Sequence, residues 1–312
     1  MSLARYLDPK NDIAFKKIFG TEKHKDLLIH FLNDILGNED KIIDVEFLKT
    51  YQDPEAASKK QSIVDVLCKD EKGVRYIVEM QVAKSAGFEE RAQYYAARAY
   101  VDQMKKGGLY EGLKRIIFLA ISDFIMFPNK AGYKSDHVTL DKKSNEHDLK
   151  AFSFTFIELP KFNKTKAEIK KLNNLIEKWC YFFKYATDTT DKDLEQLIGS
   201  DIVIKDAYEV LDRFGWSDEE LLTYESEIKR RMDEEAIERQ KLADLESRIK
   251  QSKIEGKAEG KAEGKAEGTI EIAENMLSLG VELEIIAKST GLTMKQIEEL
   301  KNKMDKKIHR PE

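Results

Sequence analysis

Cysteine is nearly missing from this chain of 312 residues: there are two, Cys68 and Cys180, far apart in apolar surroundings. Two such residues make neither a disulfide framework nor a zinc spacing. A reducing cytoplasm is the compartment that suits them. The five histidines are scattered, without an HxxxH or a His/Cys cluster, which argues against a zinc centre. Long apolar runs are missing as well. The longest, Ile116 to Ile121, is strand-sized and far below the ~18 residues of a membrane helix. The opening "MSLARYLDPKND" has no apolar stretch of the kind that marks a secretory leader. Nor is there an excess of basic charge: Lys and Arg number 53 against 58 Asp and Glu, a net charge of −5. Any attraction to nucleic acid must therefore come from a local basic patch.

What is present is a change of character midway. The first part alternates helix and strand signals. A helix is expected after Asp12, which can cap it, with Ile13, Phe15, Ile18 and Phe19 at helical spacing. Gly20-Thr21 breaks it before a second helix that ends at Gly37. Ile42 to Tyr51 reads as a strand and "QDPEAASKK" as a polar loop. Ser62–Cys68 and Val74–Val82 are strands joined by "KDEKG". Phe88 to Lys105 is an alanine-rich helix. "LKRIIFLAIS" is a continuous apolar run, as a central strand covered on both faces requires. "DHVTL" and "AFSFTFIEL" are further strands. From Lys164 strand signals stop. "IKKLNNLIEKWCYFFKYA" has helical periodicity, and Glu219 to Lys253 reads as an exposed, charged helix or coiled-coil-like arm. Then "EGKAEGKAEGKAEG" repeats a four-residue unit from Glu255 to Gly268. Each glycine costs a helix about 0.8–1.0 kcal/mol relative to alanine. The repeat is either a spacer or, on a helix, a glycine stripe for close helix–helix contact. The expected organisation is 1–162 as an α/β domain, 163–252 as a helical region, 253–268 as the spacer and 269–312 as a small helical tail.

The hairpin "SIVDVLCKDEKGVRYIVEMQV" carries the chemistry. By strand alternation Ile63, Asp65 and Leu67 share one face, with Val64, Val66 and Cys68 on the other. Arg75, Ile77, Glu79 and Gln81 share a face of the second strand. One register sets Asp65 opposite Glu79 and Lys69 opposite Arg75; a tighter one sets Asp65 against Ile77. In both, the two acids and Gln81 converge. Two ionised carboxylates on a partly apolar face repel each other. A divalent cation removes the conflict, and Mg²⁺ favours one or two carboxylates together with waters and phosphate oxygens. Such an ion can activate water for phosphodiester attack. The plain alternative is a pair of sheet-edge charges neutralised by lysines.

The opening "YLDPKNDIAFKKIFG", the hairpin "IVDVLCKD…YIVEMQ" and "FEERAQYYAARAYVDQMKKGGLY" resemble the Rpn family of recombination-promoting nucleases and transposases, within the PD-(D/E)XK nuclease superfamily. The resemblance covers roughly the first half of the chain. It implies a restriction-endonuclease-like α/β core of helix, three-strand sheet, helix and strand, followed here by an all-helical half. It also implies a Mg²⁺-dependent DNA endonuclease linked to recombination, element mobility or genome defence, with Mn²⁺ or Ca²⁺ able to take the ion's place. Carried over, Asp65 and Glu79 would bind metal. Gln81 would stand at the superfamily's lysine position, and Val64 stands where a proline precedes the aspartate. Glutamine keeps a lysine's donor capacity but not its charge, so Gln81 would position the attacking water or the scissile phosphate without lowering the water's pKa. Activity is then expected to be lower or more metal-dependent unless a nearby cation, Lys84 or Arg91, substitutes. The alternative is a nuclease-inactive DNA-binding or assembly protein that keeps the fold.

Further candidates are weaker. Asp12 is either a third acid near the metal or a helix cap. Lys10, Lys16 and Lys17 suit a phosphate backbone or plain solvation. The resemblance places a helix beside the active site here, so Arg91 and Gln93, which follow the site strand, would touch DNA, while Tyr94 and Tyr95 read as core. In the tail, "IIAKSTGLTMKQIEEL" places Ala287, Gly291 and Ile297 where a helix-turn-helix needs a small residue, a turn glycine and a core aliphatic. Thr293, Lys295 and Gln296 would then begin a recognition helix. Glu298 and Glu299 follow at once, so a protein-contact or oligomerisation role for the tail stands beside DNA reading. The expected partners are DNA and further copies of the chain through the helical half, with no membrane.

Overall fold

A computed structural model describes residues 4–37, 40–49, 51–52, 62–104, 108–172, 174–198 and 202–308. The chain divides into two compact units, Met1–Arg231 and Met232–Glu312. In the first, helices α1 (Asp12–Phe19) and α2 (Lys25–Leu36) precede β1 (Val45–Phe47), β2 (Tyr51–Gln52), β3 (Ser62–Ile63), β4 (Val66–Asp70) and β5 (Arg75–Gln81). Helix α3 (Phe88–Val101) crosses over to β6 (Ile116–Ser122), and β7 (Lys134–Val138) and β8 (Phe152–Glu158) complete the strands. Helices α4 (Leu175–Tyr185), α5 (Asp191–Ile198) and α6 (Ile202–Leu211) follow, then α7 (Asp218–Ser278), which crosses the division.

Six strands form one mixed sheet in the order β1-β4-β5-β6-β8-β7. The β5–β6 and β6–β8 pairs are parallel, the others antiparallel. All seven residues of β6 are buried, as its uninterrupted apolar run demands of a central strand. The two sheet faces are covered differently. On one, Val66, Cys68, Tyr76, Val78, Met80, Leu119 and Ile121 share a core with the inward residues of α1, α2, α4 and α6. Large aromatics dominate it, Phe19, Phe31, Trp179 and Phe183 among them in mutual ring contact. On the other, Leu67, Ile77, Phe118, Ala120 and Phe156 meet α3, whose buried Ala92, Ala96 and Ala99 let the helix lie close to the strands. The helices after Lys164 thus complete the first core.

Several local expectations shift. The Ile42–Tyr51 strand reduces to Val45–Phe47, with Tyr51 beginning a separate two-residue strand. From residue 53 the loop "QDPEAASKK" lies outside the described residues. The helix expected over 169–186 is a 3₁₀ segment, Lys166–Lys171, followed by α4, because Asn174 caps a fresh start by accepting from the Glu177 N–H. Asp12 is not the cap of α1: Asn11 is, accepting from the Ile13 and Ala14 N–H groups.

In the second unit, Ala273, Ile286 and Ile297 form a small core at the end of α7 with α8 (Leu283–Thr290) and α9 (Met294–Ile308). Gly291 ends α8 at φ 74°, a left-handed conformation that favours glycine. The "EGKA" repeat lies within continuous α7. Among the described residues, no atom outside the helix lies within 4 Å of a Cβ added at Gly256, Gly260, Gly264 or Gly268. Among the described residues, no helix is long and apolar enough to cross a membrane.

Candidate functional site

The hairpin register is the first of the two considered: Val66 pairs with Val78 and Lys69 with Arg75, so Asp65 comes opposite Glu79. The first strand is not continuous, however. It bends at Asp65, between β3, which pairs with β2, and β4, which pairs with β5 and β1. The bend resets the alternation. Val64 packs with Leu67 and Ile77 instead of pointing to the opposite face. Asp65 is freed from the ladder, and its Oδ2 accepts the Met80 N–H at 2.9 Å, where β4 no longer supplies a carbonyl.

Glu79, one residue short of Met80, is buried at 3% exposure. Its Oε2 accepts the Gln81 amide N–H at 3.2 Å, and its Oε1 has no hydrogen-bond partner among the described residues. Gln81 Oε1 in turn accepts from Arg91 Nη2 at 2.7 Å. Arg91 comes from the second turn of α3, lies 4.9 Å from the Phe88 ring centroid, and keeps a buried Nε without a partner. The result is a relay in which a guanidinium orients an amide and the amide holds one oxygen of a buried carboxylate.

Helix α1 contributes the other side. Lys16 Nζ lies 3.0 Å from Asp12 Oδ2 and 3.5 Å from Asp65 Oδ1. Burial pushes the Asp65 carboxyl up; the Met80 N–H opposes this and the neighbouring Asp12 charge adds to it. Burial likewise pushes Glu79 up, reinforced by the Asp65 charge and opposed by Arg91. A buried Glu79 whose ionisation the partly buried Asp65 disfavours, with one oxygen left unsatisfied, forms a site in need of positive charge. Among the described residues no three His, Cys, Asp or Glu side chains gather as a ready-made metal cage. Two neighbouring carboxylates nonetheless match the donor set of Mg²⁺, which keeps waters and takes substrate oxygens. The orphaned Glu79 Oε1 is where such an ion fits.

The remaining predicted residues divide. Lys10 is paired at 2.6 Å with Asp123, whose N–H bonds the Gln81 carbonyl, so it fastens the chain beside the site and is not a free phosphate contact. Lys17 is committed to Glu220 and to the Trp216 ring, 4.1 Å away, anchoring the start of α7. Lys84 and Gln93 are exposed, Gln93 donating to the Glu89 carbonyl. Tyr94 is half exposed, while Tyr95 packs against the second core. In the tail, Thr293 and Gln296 cap α9 reciprocally: the Thr293 N–H and hydroxyl donate to Gln296 Oε1, and the Gln296 N–H returns to Thr293 Oγ1. Both are spent on the helix start, and Lys295 remains exposed. Sequence reasoning missed Lys16 as a neighbour of the acids. The signal was the four-residue spacing Asp12 to Lys16, which puts them on one helix face.

The sequence profile of the family described as PD-(D/E)XK nuclease family transposase matches residues 9–240. A second, described as Rpn/YhgA-like nuclease family, C-terminal HTH domain, matches residues 266–302. No curated protein and no solved structure matches the chain.

Proposed function

Because the chain belongs to the PD-(D/E)XK nuclease family transposases, we propose that it hydrolyses DNA phosphodiester bonds as a divalent-metal-dependent endonuclease, in the service of recombination, element mobility or genome defence. The carrying observation is the buried, unpartnered Glu79 Oε1 beside Asp65. Asp65 and Glu79, with Asp12 alongside, would hold Mg²⁺. When bound, the ion supplies charge for the attack of water on the phosphodiester. The protein's own groups set the stage. The Met80 N–H fixes Asp65, Arg91 orients Gln81, and the Gln81 amide engages one Glu79 oxygen and leaves the other, buried beside Asp65, for the ion. The helix-turn-helix tail brings DNA to the protein, with Lys295 exposed at the start of α9. The exposed Leu242, Leu245 and Ile249 of α7 supply an apolar strip for pairing with a second copy. The cytoplasm is the compartment.

The test is nicking of supercoiled plasmid in Mg²⁺. Asp65→Ala and Glu79→Ala should each lose on the order of 100-fold or more in rate. Equal nicking by both variants and the wild type would overturn the assignment. DNA retention without cleavage in either Mg²⁺ or Mn²⁺ would favour instead an inactive DNA-binding member of the family.

A further inference from the structure

A phosphodiester attack builds negative charge on the phosphate oxygens, and a positioned cation stabilises it. Gln81 brings no charge. The cations around the site are not equivalent. Arg91 is committed to Gln81 and lies over Phe88. Lys10 and Lys17 are paired with Asp123 and Glu220. Lys84 is exposed on the segment after β5.

Lys16 differs from all of these. Its ammonium lies against Asp12 and Asp65, while its side chain keeps 38% exposure, so it faces the acids and solvent at once. Its position is set by a rigid element. Helix α1 buries Ala14, Phe15, Ile18 and Phe19 and is capped by Asn11. Asp12, one turn earlier on the same helix, holds the ammonium over Asp65.

We infer that Lys16 is the cation of the cleavage centre, delivered from α1 to supply the charge that Gln81 does not carry. Without an ion it neutralises Asp12 and Asp65. With ion and DNA present, the same ammonium sits beside the phosphate that the acids' ion engages. The inference rests on the cleavage reading above.

The experiment compares wild type, Lys16→Met, Lys16→Arg and the double variant Lys16→Met/Gln81→Lys in plasmid nicking, with Mn²⁺ binding followed by calorimetry. Lys16→Met should cut about 100-fold more slowly. It should bind Mn²⁺ at least as tightly as wild type, because the acids have lost an internal counter-ion. Lys16→Arg should keep most of the activity, and Gln81→Lys should restore cutting to Lys16→Met by returning a cation from the other side. A Lys16→Met variant that cuts at the wild-type rate overturns the inference alone. So does one that loses Mn²⁺ binding together with cutting and is not rescued, since that marks a purely structural lysine. A wild-type chain that cuts nothing overturns the cleavage reading and this inference with it.

Discussion

Two glutamates are buried on the same face of one sheet, and the protein treats them in opposite ways. Glu158 closes β8 and is fully enclosed. Its Oε1 accepts from the Met126 and Phe127 N–H groups at 2.6 and 3.0 Å, and its Oε2 from Lys161 Nζ at 2.6 Å. Lys161 also donates to the Phe127 carbonyl, so the pair ties down the loop leaving β6. Glu79, on β5, has comparable burial but is held only by the Gln81 amide and the Asp65 backbone, beside a neighbouring acid, with an Oε1 that finds no partner among the described residues. A buried charge is tolerated when paired and hydrogen-bonded. Glu158 meets that condition with groups of its own chain. Glu79 does not, and the difference separates an acid that holds the fold from the one we propose is kept for an outside cation.

The largest effect that would sharpen this contrast is on stability. Glu158→Ala strands Lys161, whose side chain is 8% exposed, and should cost about 3–5 kcal/mol in urea unfolding. Glu79→Gln should cost nothing in the absence of metal. A comparable loss from both would break the distinction.

The next test is pH. Burial raises the Glu79 and Asp65 carboxyls, so the folded, metal-free protein binds their protons more tightly than the unfolded chain does. Their contribution is then fully present below the ordinary carboxylate range and fades as pH rises through the raised values. In chelator, the melting temperature of Glu79→Gln should overtake that of wild type progressively from about pH 5 to about pH 8. Added Mg²⁺ should raise the melting temperature of wild type but not of the variant. A gap that stays constant with pH would show that Glu79 is satisfied in some other way. The smallest effect is on the relay: Arg91→Lys keeps the charge but loses the Nη2 donor that orients Gln81, and plasmid nicking should fall about tenfold. An unchanged rate would leave Gln81 orienting itself.

The hairpin shows how much was legible in the sequence. Alternation and loop length limited it to two registers, and the observed one sets Asp65 opposite Glu79. The bend at Asp65 was not legible. It arises because the strand changes partners from β2 to β5, a long-range event with no local signature. The alanine spacing of α3, the left-handed Gly37 and Gly291 ends and the central-strand character of Ile116–Ser122 all follow from local rules. The misplaced cap on α1 was a choice between adjacent residues of equal capping ability, Asn11 and Asp12.

The sequence by itself determined the order of elements, the two acids, the glutamine beside them and the helix-turn-helix tail. Each of these depends on period, composition or contacts between near neighbours. Only the tertiary structure decided which charges are spent and which are open. Lys10 and Lys17 found partners 113 and 203 residues away, Glu158 found Lys161 and two loop amides, and Lys16 came to rest on Asp65. The physical reason is that a charge's role is set by the burial and the partners around it, and those are supplied by segments that meet only when the sheet and its helices close.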